Sequence, residues 1–212
     1  MIYEPGEIKD VDGLRKWCVD LYQQLTLPLV TYVGDRYVWD DLRVSIASAR
    51  VPTAAPPNWA QVNDDGAAST GVFAYHFDDG ENVFFTVQFP HSYREGSSIT
   101  PHIHFQTTTD VDPADNFKIG LEYQWVNIND DMPTDTTIIT KDISTGVDSL
   151  GKHQIGAFDE VSGTGKKISS VMLCRLYRAA ADSDNYGGQV IITDFDIHYQ
   201  KDTHGSRSST SK

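Results

Sequence analysis

Two cysteines, Cys18 and Cys174, are all that the 212 residues carry. That is too few for a disulfide framework, so stability has to come from a packed core; the pair reads as reduced, small core hydrophobes of a chain folded in a cytoplasm. Positive charge is scarce as well: 17 Lys and Arg stand against 30 Asp and Glu, a formal charge of -13. Such a balance repels phosphate backbones and anionic lipid, which argues against nucleic acid and membrane as direct partners. No apolar run approaches the roughly 18 residues of a membrane-spanning helix. Met1 to Asp10, with Glu4, Glu7 and Asp10, has neither the basic nor the apolar region of a secretion signal. A Gly-x-Ser-x-Gly elbow, a phosphate-binding glycine loop and an EF-hand pattern are missing too. What is present suffices for a globular fold, with 39% hydrophobic and 11% aromatic residues.

The first periodic segment runs from about Asp10 to Thr26. Val11, Leu14, Cys18, Leu21 and Leu25 fall at steps of three, four, three and four, a heptad seam that predicts a short helix flanked by Trp17 and Tyr22 and stopped at Pro28. Two heptads are marginal as an isolated helix. The stripe therefore has to pack, on its own domain or against identical copies around a symmetry axis. Val11, Leu14, Trp17, Cys18, Leu21 and Leu25 are the candidate oligomerisation residues, and residues 1–30 form a helical oligomerisation or docking segment.

Downstream the period changes to two. Strands are predicted at Tyr37–Ile46, Gly71–Phe77, Asn82–Phe89, Ile99–Gln106, Phe117–Val126, Thr136–Ile143, Ile168–Arg178 and Gln189–Gln200. In Phe117–Val126 the residues Phe117, Ile119, Leu121, Tyr123 and Trp125 share one face. In the last strand Ile191, Phe195, Ile197 and Tyr199 point one way, and Asp194, Asp196 and His198 the other. Asp78-Asp79-Gly80 is a hairpin signal, because Asp-Gly tolerates positive φ. The Pro- and Asn-rich stretch from Pro52 to Gly66 reads as an extended loop over the sheet. The fold class is mainly β: an eight-stranded antiparallel jelly-roll-type sandwich over residues 31–201, preceded by the short helix and followed by a flexible polar tail, 202–212.

One motif resembles a site. His102 and His104 are two apart on a predicted strand, so their imidazoles stand on one face about 7 Å apart, within reach of one metal ion. Cupin enzymes use the same pair but place a Glu shortly after it, whereas Phe105, Gln106 and Thr107 to Thr109 follow here. His198, His76 and His91 are candidates for a third ligand. In a trimer, three such pairs gathered on the three-fold axis would offer six nitrogens to a structural transition metal. Aspartates cluster at Asn63–Asp65, Asp78-Asp79, Asn127–Asp131 and Asp182–Asp184, where Ca²⁺ is the alternative to solvated turns. Trp39, Trp59 and Trp125 suggest a sugar platform or, as in most sandwiches, core positions.

Four blocks, Trp39-Asp40-Asp41-Leu42-Arg43-Val44, Phe84 to His91 (FFTVQFPH), Glu95 to Phe105 (EGSSITPHIHF) and Phe117 to Trp125, resemble a family of tailed-bacteriophage and prophage virion proteins. The resemblance covers Tyr37 to Val126. It implies a small β-sandwich subunit at the head, neck or tail of the particle, often trimeric, with capsid, portal, neck or tail proteins as partners and assembly in the host bacterial cytoplasm. The resulting expectation is a non-enzymatic virion component without cofactor, acting as a homotrimer. The alternatives are a cupin-like metal-dependent enzyme using His102 and His104, and a carbohydrate-binding module for host attachment.

Overall fold

The computed structural model describes residues 11, 18–19, 37–63, 70–109, 115–146, 150–179 and 185–212. The chain divides into two units, residues 1–38 and 39–212. In the first, Val11, Cys18 and Val19 have helical backbone and are exposed. No α-helix is among the described elements. The rest of the heptad segment, with Leu14, Trp17, Leu21 and Leu25, lies outside the described residues. Both cysteines are free; Cys174 is buried as expected of a core hydrophobe, and Cys18 is not. Burial pushes the Cys174 thiol up from its ordinary value.

Ten strands are described: β1 (Val38–Ser45), β2 (Asn58–Asn63), β3 (Val72–Phe77), β4 (Asn82–Gln88), β5 (Ile99–Thr107), β6 (Asn116–Val126), β7 (Thr137–Ser144), β8 (Gln154–Ala157), β9 (Val171–Ala179) and β10 (Val190–Lys201). One sheet runs β2-β3-β10-β5-β8, with β1 also paired to β10; the other runs β4-β9-β6-β7. Strands β3 to β10 thus make a jelly roll, with β3, β10, β5 and β8 in one layer and β4, β9, β6 and β7 in the other. All eight predicted strands are present. The jelly-roll set differs from them in one member: β8 belongs to it, and β1 extends the first sheet, as does β2.

The connection at Asp78–Gly80 is tight as predicted, with Gly80 at φ +82 and the Glu81 N–H donating to the Asp78 carbonyl at 3.2 Å. It is not a hairpin. Strand β3 pairs with β2 and β10, and β4 with β9, so the turn carries the chain from one layer into the other. The turn chemistry sets a local reversal, and only the packing of the two layers decides whether the flanking strands pair.

A continuous apolar core spans both sheets. Phe117, Ile119, Leu121 and Trp125 of β6 are buried, with Tyr123 packed against them, as the alternation predicts. Between the layers Phe85 meets Phe195 at 4.9 Å and Phe105 meets Phe117 at 5.0 Å between ring centroids. Phe89 stacks on Trp125 at 4.5 Å, and the indole N–H donates to Ser170 Oγ at 2.9 Å, so its one polar atom is satisfied. Each such side chain contributes roughly 1.5–3 kcal/mol on full burial. Residues 202–212 have no regular structure, and their polar groups reach His91: Ser206 Oγ lies 3.0 Å from Nδ1 and Thr203 Oγ1 donates to the His91 carbonyl at 3.3 Å.

Candidate functional site

His102 and His104 lie on β5, where Ile103 and Phe105 take the core positions between and beyond them. The two imidazoles therefore share the outer face of the sheet, their ring centroids 5.3 Å apart. The neighbouring strand β10 brings carboxylates to the same face through a bulge at Thr193. Ile192 opposes Phe105 and Phe195 opposes Ile103, so between them two residues of β10, Thr193 and Asp194, stand against His104 alone on β5. The extra residue breaks the strand's period of two. Simple alternation puts Ile191 with Phe195, Ile197 and Tyr199; in the structure Val190 and Ile192 join that core set, and Ile191 stands opposite His76 and Gln106 instead. Beyond the bulge Asp194 opposes His104 and Asp196 opposes His102.

Asp196 is 3% exposed. Its Oδ2 lies 3.2 Å from His104 Nε2, 3.7 Å from His102 Nε2 and 4.0 Å from Arg43 Nε. Its Oδ1 is buried without a hydrogen-bond partner. One ligand atom from each of His102, His104 and Asp196 fits within a 4.8 Å spread. His153, just before β8, places Nε2 at 2.7 Å from His104 Nδ1. Asp194 is also on this face, and burial first, then the negative charge of Asp196, holds its carboxyl above the ordinary carboxylate value. The group borders an open cavity of about 660 Å³, whose wall includes Arg43, Phe73, Ile155 and Thr193.

The other histidines go elsewhere. His198 is bound to Asp41, Nδ1 to Oδ1 at 2.7 Å, and lies flat on Trp39 with ring centroids 4.8 Å apart. His76 is buried on β3 with Nε2 unpartnered, and burial holds its imidazole below the ordinary value. His91 holds Ser169 Oγ at 2.9 Å and the C-terminal segment. None of the three joins His102 and His104 in the donor cluster. Of the tryptophans, Trp125 is core, Trp39 covers His198, and Trp59 is 48% exposed beside Phe73 and Tyr75. Of the acidic runs, Asp79 pairs with Arg178 at 2.9 Å, Asp78 accepts from Gln189 Nε2 at 2.7 Å, and Asp130 accepts from Asn127 Nδ2 at 2.9 Å; Asp64, Asp65 and Asp182–Asp184 lie outside the described residues.

Asp196 and His153 are the residues that sequence reasoning does not single out. Asp194-x-Asp196 repeats on β10 the i, i+2 pattern of His102-x-His104, and two such pairs on polar strand faces can meet when the strands are neighbours. The pairing partner of β10 is a property of topology, which local periodicity does not contain. His153 stands alone in Gly151-Lys152-His153 and gives no signal.

No protein-family model and no curated protein matches this chain. Among solved structures it is similar to tripeptidyl peptidase 2, at 15% identity and a TM-score of 0.38, over 76% of this chain and 11% of that one. It is also similar to structures of infectious bursal disease virus: the Gx strain at 10% identity and TM-score 0.33, over 79% of this chain and 33% of that one, and the Gt strain at 9% and 0.26, over 69% and 38%. The chain thus spans about a tenth to two-fifths of the proteins it is compared with, and likeness at this level carries nothing about activity.

Proposed function

We propose that the protein is a structural subunit of a tailed-phage particle, working as a homotrimer that decorates or joins parts of the capsid, neck or tail, and that it does not turn over a substrate. The observation that carries this reading is the jelly roll with its continuous apolar core, in a chain whose residues Tyr37 to Val126 resemble virion proteins. A two-layer sandwich of this kind is a rigid block that offers its outer faces to neighbours. Exposed apolar side chains at Trp59, Val72 and Phe73 on the six-stranded sheet, and at Ile138 on the edge strand β7, suit it to contact with other subunits. Strong net acidity favours a position on the exterior of the particle, away from packaged DNA. The exposed Trp59 beside Phe73 supports the carbohydrate-binding reading as a second role at the same exterior position.

The heptad stripe of residues 11 to 25 supplies the self-association. Light scattering on the full chain is expected to give three times the chain mass, and Leu14→Asp with Leu21→Asp is expected to reduce it to one. A full chain that stays monomeric at micromolar concentration contradicts the trimer.

A further inference from the structure

We propose that His102 Nε2, His104 Nε2 and the Asp196 carboxylate of a single subunit bind one divalent first-row transition metal ion, with His153 as the outer partner of His104. This goes beyond the virion reading and stands whether or not that reading holds.

The donor set lies close to the spacing that a metal ion needs. Metal bonds of about 2.0–2.2 Å to imidazole nitrogen and carboxylate oxygen require donors roughly 3 to 3.5 Å apart. The two histidine-to-carboxylate edges are 3.2 and 3.7 Å, and the three donors lie within 4.8 Å of one another, so the imidazoles have to swing inward slightly when the ion binds. Hydrogen bonding alone accounts poorly for the cluster, because the longer edge exceeds a hydrogen bond and Oδ1 of Asp196 is left with no partner at all. Burying a carboxylate with an unsatisfied oxygen costs about 1–3 kcal/mol or more. The nearest guanidinium is 4.0 Å away on an Arg43 side chain that is 79% exposed, too wet to offset that cost by itself. A bound cation supplies the missing partner.

The second nitrogen of each ring faces a partner of its own. His104 Nδ1 is engaged by His153 Nε2 at 2.7 Å, and His102 Nδ1 faces the Thr100 carbonyl at 3.5 Å. With those Nδ1 atoms protonated and directed at acceptors, both Nε2 lone pairs are free toward Asp196, the arrangement by which outer partners orient metal-binding imidazoles. Two neutral imidazoles and one carboxylate select zinc, iron(II), cobalt or nickel over calcium and magnesium, which demand an oxygen shell. Three ligands from two adjacent strands occupy one side of the ion and leave its remaining positions to the cavity of about 660 Å³. The third ligand comes from the same chain, so the stoichiometry is one ion per chain.

The test is titration of the full-length, chelator-stripped protein with Co²⁺, read by visible absorption, and with Zn²⁺, read by calorimetry. One ion per chain is expected. Asp196→Asn and His104→Gln should each weaken Zn²⁺ binding at least tenfold, His153→Ala about 10–100-fold as an outer-partner change, and His198→Gln, outside the cluster, not at all. Circular dichroism of each variant confirms that the sandwich has folded. Should Asp196→Asn fold and bind as the parent does, or should the parent bind no ion or one ion per three chains, the assignment is wrong. The trimer reading survives every one of those failures, since it rests on the mass of the assembly.

Discussion

Replacing Arg178 with alanine is expected to lower the free energy of folding by about 3–5 kcal/mol, because three buried carbonyls lose a charged donor and each buried group left unsatisfied costs about 1–3 kcal/mol. Arg178 sits near the end of β9 and is 3% exposed. Its Nε pairs with Asp79 Oδ1 at 2.9 Å; Nη2 donates to the Tyr186 carbonyl at 2.6 Å, and Nη1 to the carbonyls of Gly188 at 2.6 Å and Phe77 at 3.3 Å. One planar cation therefore ties together the end of β3, the turn that crosses between the sheets, and the loop that enters β10. Alanine leaves three buried carbonyls without that partner, whereas the half-exposed Asp79 carboxylate turns to water. Lysine keeps the charge but not the fork of donors, so Arg178→Lys should recover only part of the loss. The control is Lys141→Ala, which removes an exposed pair with Asp159 and should cost under about 1 kcal/mol. Denaturant melts of the three variants rank them; equal midpoints for Arg178→Ala and Lys141→Ala would contradict the role given to Arg178.

Gly163→Ala should be nearly as damaging, at about 3 kcal/mol, the upper end of what overpacking a tight site costs. A methyl group there would lie 1.9 Å from the Ser97 carbonyl oxygen and 2.3 Å from the Tyr93 hydroxyl. Neither can step aside cheaply: the first is backbone, and the second donates to that same carbonyl at 2.5 Å from a fully buried ring. Burial, opposed by that hydrogen bond, pushes the Tyr93 hydroxyl up to about 12, so it stays protonated as a donor throughout the neutral range. The neighbouring Gly165 separates two reasons for a glycine. It has φ +76, and a methyl group added there would meet nothing within 4 Å, so Gly165→Ala meets only backbone strain, about 1–2 kcal/mol. Thermal melts should place Gly163→Ala well below Gly165→Ala, and the reverse order would show that the contact between this loop and Ser97 is not tight.

Both predictions depend on tertiary neighbours, and that is where sequence reading stops. Period-two patterning locates β6 and its buried face residue by residue, because a strand with one face on a core has to alternate. It fails where the backbone leaves that period. At Thr193 a single extra residue reverses the faces of β10, and with them the assignment of Ile191 and Ile192. Strand β8 is four residues with Gly156 at its third position, too short for alternation to register. Strand β2 is enclosed by Pro56-Pro57 and an Asn-Asp-Asp-Gly run, and those turn signals outweigh its own Trp59 and Val62. Two of the three members of the donor cluster are legible for the same reason. His102 and His104 share a strand, so their juxtaposition is local, whereas Asp196 arrives from a residue 92 positions beyond His104 in the chain.

The central claim, that this chain is a building block of a virus particle, is tested most directly by mass spectrometry of density-purified tailed-phage particles from a lysate in which the protein is made. The account predicts its peptides in the particle band, at a fixed ratio to the major capsid protein that persists through a high-salt wash. Peptides confined to the soluble fraction, with capsid and tail proteins fully recovered in the band, would contradict it.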